Sequence, residues 1–378
     1  MKLYITGGGT GGHVTPGLAI ARYFEHKHPD TVIRFAGSER GIENKLVPRE
    51  GYPLDAIEII GLSRSLSPKG LAHNVKAAKL AIGAVSKAKK LLQKARPDCV
   101  IGCGGYASFA VVKAAQQMGI PTVLLEVNAL PGKVTKMLSK KADRVLVCFE
   151  QAKELLGGGD KIIVTGSPVR GEIVTADRTR ARAKFGLGET DQLVVSFWGS
   201  MGAKYMNEHM AGLLALECKN DVKYHHVHAS GSAAREWMPR LAAEKGADLE
   251  RHPNVKLVEY IYDMDDRLAA ADLVVCRAGA ATLGELCMLG RPAILVPSPY
   301  VAENHQEKNA RALEAAGGCT VLLEKDATPE KLYEMIGSML SDQDRLRRMG
   351  HDATKLAAHD ASEQIYQQIM QAIAAGKR

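Results

Sequence analysis

Short apolar runs alternate with segments of helical periodicity along nearly the whole chain. After a first run at residues 3–5, the predicted strands are 31–36, 99–101, 122–125, 145–147 and 162–164, followed by 193–197, 223–227, 255–258, 273–276, 293–296 and 320–323. Apolar residues recur at helical spacing between most of these runs. Strands that alternate with helices indicate βα units and parallel sheets, so the pattern predicts an α/β fold.

The alternation pauses once, and both halves of the chain begin in the same way. The stretches 166–170 and 177–184 carry turn residues and charges rather than a strand. Each half then opens with a strand, a glycine-rich turn and a helix, and the two turns are 7–12 and 199–202. We therefore expect two Rossmann-like, doubly wound parallel-sheet domains that face a cleft. The predicted boundaries are 1–165 and 166–343, with helices in 344–378 packing back toward the first domain.

The distribution of charge distinguishes the two halves. Residues 1–165 hold 24 Lys and Arg against 13 Asp and Glu, a net charge of +11, whereas the remainder carries −3. A length of 378 residues suits about two domains. With no run of 18 apolar residues and a strand at the start, we expect neither a spanning helix nor a signal peptide. Seven dispersed cysteines predict reduced thiols rather than a disulfide framework or a zinc site.

One basic segment stands out in the first half. Residues 59–97 contain nine Lys and Arg but neither Asp nor Glu. Apolar residues recur there at spacings near a helical turn, at Leu71, Val75, Ala78, Ile82, Val85 and Leu92. A basic amphipathic helix of this kind can lie on an anionic membrane surface, or it can pack its apolar stripe on the sheet and leave the lysines in water. Both interpretations remain open at this point.

The first glycine-rich turn ends in a titratable side chain. It reads Thr6-Gly-Gly-Gly-Thr-Gly-Gly-His13, which is neither the dinucleotide fingerprint nor a P-loop. Glycines let backbone N–H groups approach a ligand, and the helix start behind them favours negative charge. His13 alone in this turn exchanges protons near neutral pH, so it is a candidate general base, with a purely structural role as the alternative.

Three further turns follow predicted strands, at 102–105, 199–202 and 277–280. Because ligands bind at the carboxyl ends of strands in doubly wound sheets, these turns are candidates for one site. The helix after residue 279 carries Glu285, whose carboxylate suits ribose hydroxyls, while the start of that helix suits a diphosphate. Arg170 is placed to contact the same phosphates, and the amides and imidazole of 304–309 suit sugar hydroxyls.

These motifs, in this order over essentially the whole chain, resemble those of the MurG family. The members are undecaprenyl-diphospho-muramoylpentapeptide N-acetylglucosaminyltransferases of bacterial peptidoglycan synthesis, and the motifs that carry the resemblance are 7–13, 102–106, 166–170, 276–280 with Glu285, and 304–309. The resemblance implies a GT-B glycosyltransferase that transfers N-acetylglucosamine from UDP-N-acetylglucosamine with inversion, converting lipid I to lipid II. It implies a peripheral protein at the cytoplasmic face of the bacterial membrane, with roles in cell-wall biogenesis, cell shape and cell division.

The resemblance also assigns roles to individual residues. The donor would contact Arg170 and Ser200 with its diphosphate, the main chain of Ile261 with its uracil, and Gln306 with its sugar; its diphosphate-to-ribose strip would be Ala280, Ala281, Thr282, Leu283, Gly284 and Glu285. The first domain would use Thr10, Gly11, Gly12 and Asn128 for the donor sugar or acceptor, with His13, Tyr106 and Glu126 on the acceptor side; Gly104, Gly105 and Arg277 belong to the same turns. The chain departs from the family pattern at Val127, Trp198 and Met201.

Several assignments stay open. Either His13 or Glu126 is the general base. We expect no cofactor or metal, because the acidic pair Asp263 and Asp265 opens a predicted helix, where carboxylates stabilise the positive end. His226 and His228 share one face of a strand, but no ligand at zinc spacing follows them. Trp198 and Trp237 are expected in the core.

Three functions compete. The first is the inverting transferase at the membrane surface. The second is a related enzyme that uses another lipid acceptor such as diacylglycerol, or an epimerase of UDP-N-acetylglucosamine, which would need a carboxylate-rich site. The third is a nucleic-acid-binding protein, suggested by the basic charge. The segment 59–97 has no aromatic residue to stack on bases, so no nucleic-acid partner is expected.

Overall fold

The chain forms two compact units, described here from a computed structural model that covers residues 1–61, 67–199, 201–301 and 304–376. Unit 1 comprises Met1–Val169 and the chain from Ala358 onward, and unit 2 comprises Arg170–Ala357. Each unit is built around one parallel sheet, as the alternation of strands and helices predicts.

Unit 1 contains a seven-stranded sheet in the order β3-β2-β1-β4-β5-β6-β7, with every neighbouring pair parallel. Its strands are β1 (Lys2–Thr6), β2 (Val32–Ser38), β3 (Leu54–Ile57), β4 (Cys99–Gly102), β5 (Thr122–Glu126), β6 (Arg144–Val147) and β7 (Ile162–Val164). The helices between them are α1 (Gly11–Lys27), α2 (Glu43–Arg49), α3 (Pro68–Ala95), α4 (Gly105–Gln117), α5 (Lys133–Ser139) and α6 (Glu150–Leu155). Strands β4 and β5 are buried throughout, because helices cover both faces of a parallel sheet.

Unit 2 contains a six-stranded parallel sheet in the corresponding order, β10-β9-β8-β11-β12-β13. Its strands are β8 (Leu193–Phe197), β9 (His225–Ala229), β10 (Val255–Val258), β11 (Leu273–Cys276), β12 (Ala293–Leu295) and β13 (Cys319–Val321). Its helices are α7 (Gly171–Val174), α8 (Arg178–Lys184), α9 (Lys204–Lys219), α10 (Trp237–Glu244), α11 (Met264–Ala270), α12 (Ala280–Leu289), α13 (His305–Ala315), α14 (Pro329–Ser341) and α15 (Gln343–Thr354). In each sheet the order reverses beside the first strand, which places the first glycine turn of each unit at the switch point where doubly wound folds bind ligands.

The unit boundaries differ from the predicted domains at two points. The first crossing lies between Val169 and Arg170, a few residues beyond the expected position. Only the last helix, α16 (Ala361–Gly376), packs in unit 1, where the ring of Tyr366 lies 5.0 Å from that of Phe24. The preceding helix α15 stays in unit 2 beside α12 and α14, because its buried residues Leu346 and Met349 belong to that core.

Two local expectations are corrected by the structure. Strand β3 is missing from the predicted strands, because this four-residue edge strand is only partly buried and has no run of β-branched residues. Helix α1 begins at Gly11, so Pro16 lies beyond its first turn rather than within it. Since proline has no N–H, the carbonyl of Gly12 receives no helical hydrogen bond from that position.

Helix α3 forms from the basic segment, and its two faces differ. Ala77, Ala84, Ala88 and Leu92 are buried against the rest of unit 1. The larger apolar residues Leu71, Val75 and Ile82 point outward and are 54%, 58% and 75% exposed. Of the predicted apolar stripe, Leu92 is buried but Leu71, Val75 and Ile82 are not, and alanines make most of the buried contact of this helix. Among the described residues, no helix has the length and apolar character required to cross a bilayer.

Candidate active site

The first glycine-rich turn joins β1 to α1 without a side-chain cap. Thr10 is the N-cap residue in an extended conformation, and its side chain makes no cap hydrogen bond. The first N–H groups of a helix have no acceptor in the preceding turn. In α1, the backbone N–H of His13 donates to the Thr10 carbonyl over 3.1 Å. Thr10, Gly11 and Gly12 thus lie together at a helix start that suits an anionic or polyhydroxyl ligand.

His13 is held by two turns of unit 1. Its Nδ1 lies 3.2 Å from both the Gly8 carbonyl oxygen and the Thr10 hydroxyl oxygen. A Cβ atom on Gly104 would lie 2.7 Å from the ring, and one on Gly105 would lie 2.3 Å from the Gly8 oxygen. Both glycines also have positive φ, a backbone conformation that other residues rarely adopt. The turn after β4 therefore has no room for larger side chains and favours glycine at both positions. Because a carbonyl oxygen only accepts, Nδ1 carries the hydrogen, and the lone pair of the neutral ring is on Nε2.

Tyr106 completes this part of unit 1. It follows the Gly104–Gly105 turn at the start of α4, and its ring is partly exposed. Cβ atoms on Gly9 and Gly61 would lie 3.4 Å and 3.2 Å from that ring, so both glycines lie against it. The structure therefore brings Thr10, His13 and Tyr106 together in unit 1.

Glu43, a residue that the sequence analysis missed, packs against the first glycine-rich turn and accepts a hydrogen bond from it. The fully buried carboxylate accepts hydrogen bonds from the N–H of Gly9 at 3.0 Å and from the N–H and hydroxyl of Ser38 at 2.7 and 2.6 Å. Cβ atoms on Gly8, Gly37 and Gly41 would all lie within 2.3 Å of its side-chain atoms. The stretch Gly37-Ser-Glu-Arg-Gly41-Ile-Glu43 after β2 is the signal that could have identified it.

We expect Glu43→Ala to lower the melting temperature of the protein and its turnover together. The substitution removes the acceptor of the Gly9 N–H and leaves the N–H of buried Ser38 without a partner, and such a buried group costs about 1–3 kcal/mol of folding free energy. Thermal unfolding and initial-rate assays on one preparation measure both effects. The exposed Glu58→Ala is the matched control, and equal melting temperatures for the two variants would contradict this role of Glu43.

Glu126 has a different environment from the one expected of a general base. Its buried carboxylate accepts four hydrogen bonds from its own loop, from the N–H and amide of Asn128 and from Gly132 and Thr135, at 2.6–3.1 Å. An acceptor saturated in this way orders the loop after β5. The geometry therefore favours His13 over Glu126 as the base and makes Asn128 part of the same loop.

In unit 2, α12 begins directly after β11 with a glycine N-cap in an extended conformation. The N–H groups of Ala280, Ala281 and Thr282 precede the first intrahelical donor, Leu283, which bonds to the Gly279 carbonyl over 3.0 Å. This helix start suits the negative charge of a diphosphate. Gly284 follows within the first two turns, so the predicted 280–285 strip forms one continuous helical surface.

Arg170 and Glu285 form an ion pair that the sequence did not predict. Both Nε and Nη2 of Arg170 lie 2.8 Å from Oε1 of Glu285. Among the described residues, Oε2 has no hydrogen bond of its own. Burial raises the pKa of the Glu285 carboxyl above its usual range, while Arg170 opposes that shift. One carboxylate oxygen thus orients Arg170 and the other remains an acceptor for hydroxyl groups.

The other predicted site residues of unit 2 differ from one another in their contacts and burial. Arg277 contacts the Glu324 carboxylate and donates to the Val296 carbonyl over 3.0 Å, so its charge is already paired. Gln306, near the start of α13, accepts from the Ser298 N–H over 2.9 Å and lines a cavity of about 580 Å³ together with Trp198. Ile261 is buried in the loop before α11. Ser200 lies outside the described residues.

Of the three residues that depart from the family pattern, two are buried and one is exposed. Trp198 belongs to the core of unit 2, as expected, and Trp237 packs partly buried against that core. Val127 is buried beside Glu126, and Met201 is largely exposed. The two histidines His226 and His228 are fully buried and bond to protein groups.

Comparison with known proteins agrees with this architecture. The glycosyltransferase family 28 N-terminal domain matches residues 3–147, and the family 28 C-terminal domain matches residues 193–365. A relative from Acetivibrio thermocellus is 43% identical over 97% of both chains and is named UDP-N-acetylglucosamine--N-acetylmuramyl-(pentapeptide) pyrophosphoryl-undecaprenol N-acetylglucosamine transferase. The crystal structure of Acinetobacter baumannii MurG is 26% identical, with a TM-score of 0.74 over 98% of this chain and 99% of that one.

Other solved structures share only the fold. The UDP-GlcNAc 2-epimerase from Neisseria meningitidis, solved with UDP-GlcNAc, is 15% identical with a TM-score of 0.64 over 98% of this chain and all of that one. The expected GT-B class is confirmed by the two parallel sheets and by these neighbours. The two domain matches together cover most of the sequence, and the curated relative exceeds 40% identity along nearly its full length. The chain therefore belongs to glycosyltransferase family 28, within its MurG family of glycosyltransferases.

Proposed function

We propose that this glycosyltransferase moves N-acetylglucosamine from UDP-N-acetylglucosamine to an undecaprenyl-linked muramoyl-pentapeptide, the step from lipid I to lipid II in peptidoglycan synthesis. The observation that carries the proposal is 43% identity over 97% of the chain to a relative named for that reaction. The placement of His13 beside the helix start of unit 1, and of Glu285 beside that of unit 2, supports it.

His13 acts as the general base in this proposal. With the hydrogen on Nδ1 directed to the Gly8 carbonyl, Nε2 accepts the proton of the acceptor hydroxyl. The resulting alkoxide attacks the anomeric carbon while the bond from that carbon to the diphosphate oxygen breaks. UDP leaves with the electron pair of the broken bond, and a single displacement inverts the anomeric centre. Tyr106 and the loop ordered by Glu126 border the acceptor side.

Unit 2 binds the donor and stabilises the leaving group. The N–H groups that begin α12 and the guanidinium of Arg170 face the negative charge that develops on the diphosphate. Glu285 orients Arg170 through Oε1 and accepts ribose hydroxyls, while the main chain of Ile261 contacts uracil and Gln306 contacts the sugar. Arg277 contributes by holding the turn before α12 against Glu324.

The same proposal locates the protein at the cytoplasmic face of the bacterial membrane, with helix α3 on anionic lipid. Leu71, Val75 and Lys79 are spaced by four residues, and Ile82 and Lys90 continue the same face, opposite the buried alanines. Exposed apolar side chains flanked by lysines fit the boundary between lipid headgroups and acyl chains.

Replacing Lys79, Lys90 and Lys94 by Gln should weaken binding to vesicles that contain anionic lipid. Each lysine near such a surface contributes roughly 1 kcal/mol at low salt. Vesicle co-sedimentation measures the effect, and turnover on a short-chain, water-soluble acceptor should be unchanged. A matched triple variant, Lys219, Lys245 and Lys325 to Gln, removes the same charge from unit 2. Equal losses in both variants would show that net charge, rather than α3, drives binding.

We further propose that the reaction needs no metal ion or other cofactor, because Arg170 and backbone N–H groups supply the positive charge. Asp263 and Asp265 sit at the start of α11, where Asp263 pairs with Lys184 and Arg267 at 3.9 and 3.6 Å. Turnover in EDTA should therefore remain within about twofold of the untreated rate, since no bridging ion is lost. A larger loss that Mg²⁺ or Mn²⁺ restores would contradict this.

The decisive assay supplies UDP-N-acetylglucosamine and the lipid-linked muramoyl-pentapeptide and detects the disaccharide product. Parallel reactions with diacylglycerol, and with no acceptor, test the related lipid transferase and the epimerase. Sugar transfer to diacylglycerol alone, or epimerisation without acceptor, would contradict the proposal.

A further inference from the structure

A continuous network of buried hydrogen bonds lies in unit 2 beside Gly202, in the glycine-rich turn that follows β8. His226 and His228 of β9 both contact the hydroxyl oxygen of Ser196 on β8, through Nε2 and Nδ1, at 2.7 Å each. Nδ1 of His226 lies 2.9 Å from both Glu217 oxygens, and Nε2 of His228 lies 3.2 Å from Oδ1 of Asn207. Both Glu217 and Asn207 belong to α9, and all five side chains are essentially inaccessible to solvent.

This network of hydrogen bonds ends at a backbone carbonyl. The side-chain NH₂ group of Asn207 donates to the Ser230 carbonyl over 2.7 Å. Gly202 lies against the same oxygen, since a Cβ on Gly202 would be 2.0 Å from it. A Cβ on Gly231 would be 2.2 Å from the Gly202 nitrogen, and both glycines have positive φ. Asn207 therefore holds the Ser230 carbonyl, against which Gly202 packs.

Between His226 and the Ser230 carbonyl, all the hydrogen bonds are donated in one direction. Because the Ser230 carbonyl only accepts, the atom of Asn207 facing it is the NH₂ group, and Oδ1 faces His228. Nε2 of His228 must then carry a hydrogen. Burial, and after it His226, lowers the pKa of His228 well below its usual range, so the ring is neutral and its Nδ1 accepts.

The direction continues through the serine to the acidic end. Ser196 donates its single hydrogen to Nδ1 of His228 and therefore accepts from Nε2–H of His226. The contact between Nδ1 of His226 and Glu217 contains one more hydrogen, so that pair is net neutral whether the nitrogen or the oxygen holds it. Tyr224 donates to Glu217 over 2.8 Å, and burial raises the pKa of its hydroxyl, which keeps it a donor. Every polar atom along this path has a partner of the opposite kind, which burial requires.

We propose that this relay of hydrogen bonds, from Glu217 through His226, Ser196 and His228 to Asn207, positions Gly202 for binding of the donor diphosphate. The inference rests on the proposed function and on the resemblance, which assigns the neighbouring Ser200 to the donor diphosphate. The relay residues contact no substrate, so they are positioning residues. A reversal of any member would leave two donors or two acceptors facing each other, and the strain would reach Asn207 and the turn.

The first test is the ring-nitrogen NMR spectrum of the unsubstituted protein labelled with ¹⁵N-histidine. We expect His228 with its hydrogen on Nε2 and a lone pair on Nδ1, and His226 with a hydrogen on Nε2. A hydrogen on Nδ1 of a neutral His228 would overturn the relay. This measurement needs neither ligand nor variant, so it decides the relay independently of the proposed function.

The second test is UDP affinity by calorimetry for Ser196→Ala and Asn207→Asp. Ser196→Ala breaks the relay in the middle, whereas Asn207→Asp still accepts from His228 but loses the donor to Ser230. We expect both to weaken UDP binding roughly 5–10-fold, since each leaves buried polar groups unpaired. Ser196→Thr, which keeps the hydroxyl, should restore affinity. The control is Ser139→Ala, a buried serine of unit 1 whose hydroxyl bonds to the Lys136 carbonyl.

If both relay variants bind UDP with unchanged affinity and only melt at a lower temperature, the hydrogen bonds stabilise the packing of α9 on the sheet and nothing more. That result would overturn the positioning role. A failure of the unsubstituted protein to bind UDP would instead contradict the proposed function, and the assignment of the turn would fall with it.

Discussion

Replacing His13 by Ala should lower turnover by roughly 10²–10⁴-fold while donor affinity stays close to that of the unsubstituted protein. The ring belongs to unit 1, where Nδ1 bonds to the Gly8 carbonyl. In the proposed mechanism, Nε2 accepts the proton of the acceptor hydroxyl. Glu285, Arg170 and the start of α12, to which we assign nucleotide binding in the proposed function, all belong to unit 2. Turnover at saturating substrates, UDP affinity and melting temperature should be measured on one preparation.

A second substitution separates the chemical role of His13 from its structural one. His13→Asn retains an amide donor that can bond to the Gly8 carbonyl, but it has no basic nitrogen. We expect it to melt close to the unsubstituted protein and to be nearly as inactive as His13→Ala. His26→Ala, an exposed histidine of the same helix, is the matched control. Near-normal turnover of His13→Asn would remove His13 from the base role, and a collapse of stability in both variants would make it structural.

Glu285→Ala should weaken UDP binding roughly 10–100-fold, because a charge-assisted hydrogen bond to a ribose hydroxyl contributes about 1.5–3 kcal/mol. The effect has a second cause, since Arg170 loses the oxygen that orients both of its nitrogens. Titration calorimetry with UDP measures the loss directly.

The amide variant distinguishes the two contributions. Glu285→Gln keeps an oxygen and the side-chain volume but removes the charge, so it should fall between Ala and the unsubstituted protein. Glu330→Gln, an exposed glutamate on α14, is the matched control for charge. If UDP binds all three variants as it binds the unsubstituted protein, neither Glu285 nor its pair with Arg170 belongs to the nucleotide site.

Much of the fold was predictable because it depends on local patterns. Val, Ile and Leu runs separated by helical segments specify parallel strands, and all eleven later strand predictions lie within two residues of the observed bounds at both ends. The glycine turns were equally visible, since glycine between a strand and a helix is a local signal. Strand β3 was not visible, because an edge strand with one well-buried residue carries little apolar signal.

The candidate site was predictable by residue type but not by partnership. His13, Tyr106, Arg170 and Glu285 were identified from their motifs, yet nothing local shows that Arg170 pairs with Glu285, which lies 115 positions away. Glu126 is a candidate base by sequence, whereas in the structure its carboxylate accepts four hydrogen bonds from its own loop. Its neighbours in sequence supply those donors only because the loop folds back on the strand end.

By itself, the sequence determined the class of fold, the order of its glycine turns and the family, because these depend on periodicity and on motifs that are contiguous in the chain. Only the tertiary structure decided which polar groups are paired and buried. The contacts of Glu43 with the first glycine-rich turn join residues on separate elements, and so does the relay from Glu217 to Asn207 beside Gly202. A hydrogen bond depends on distances of about 3 Å and on the direction of each donor, and folding alone brings such distant groups together.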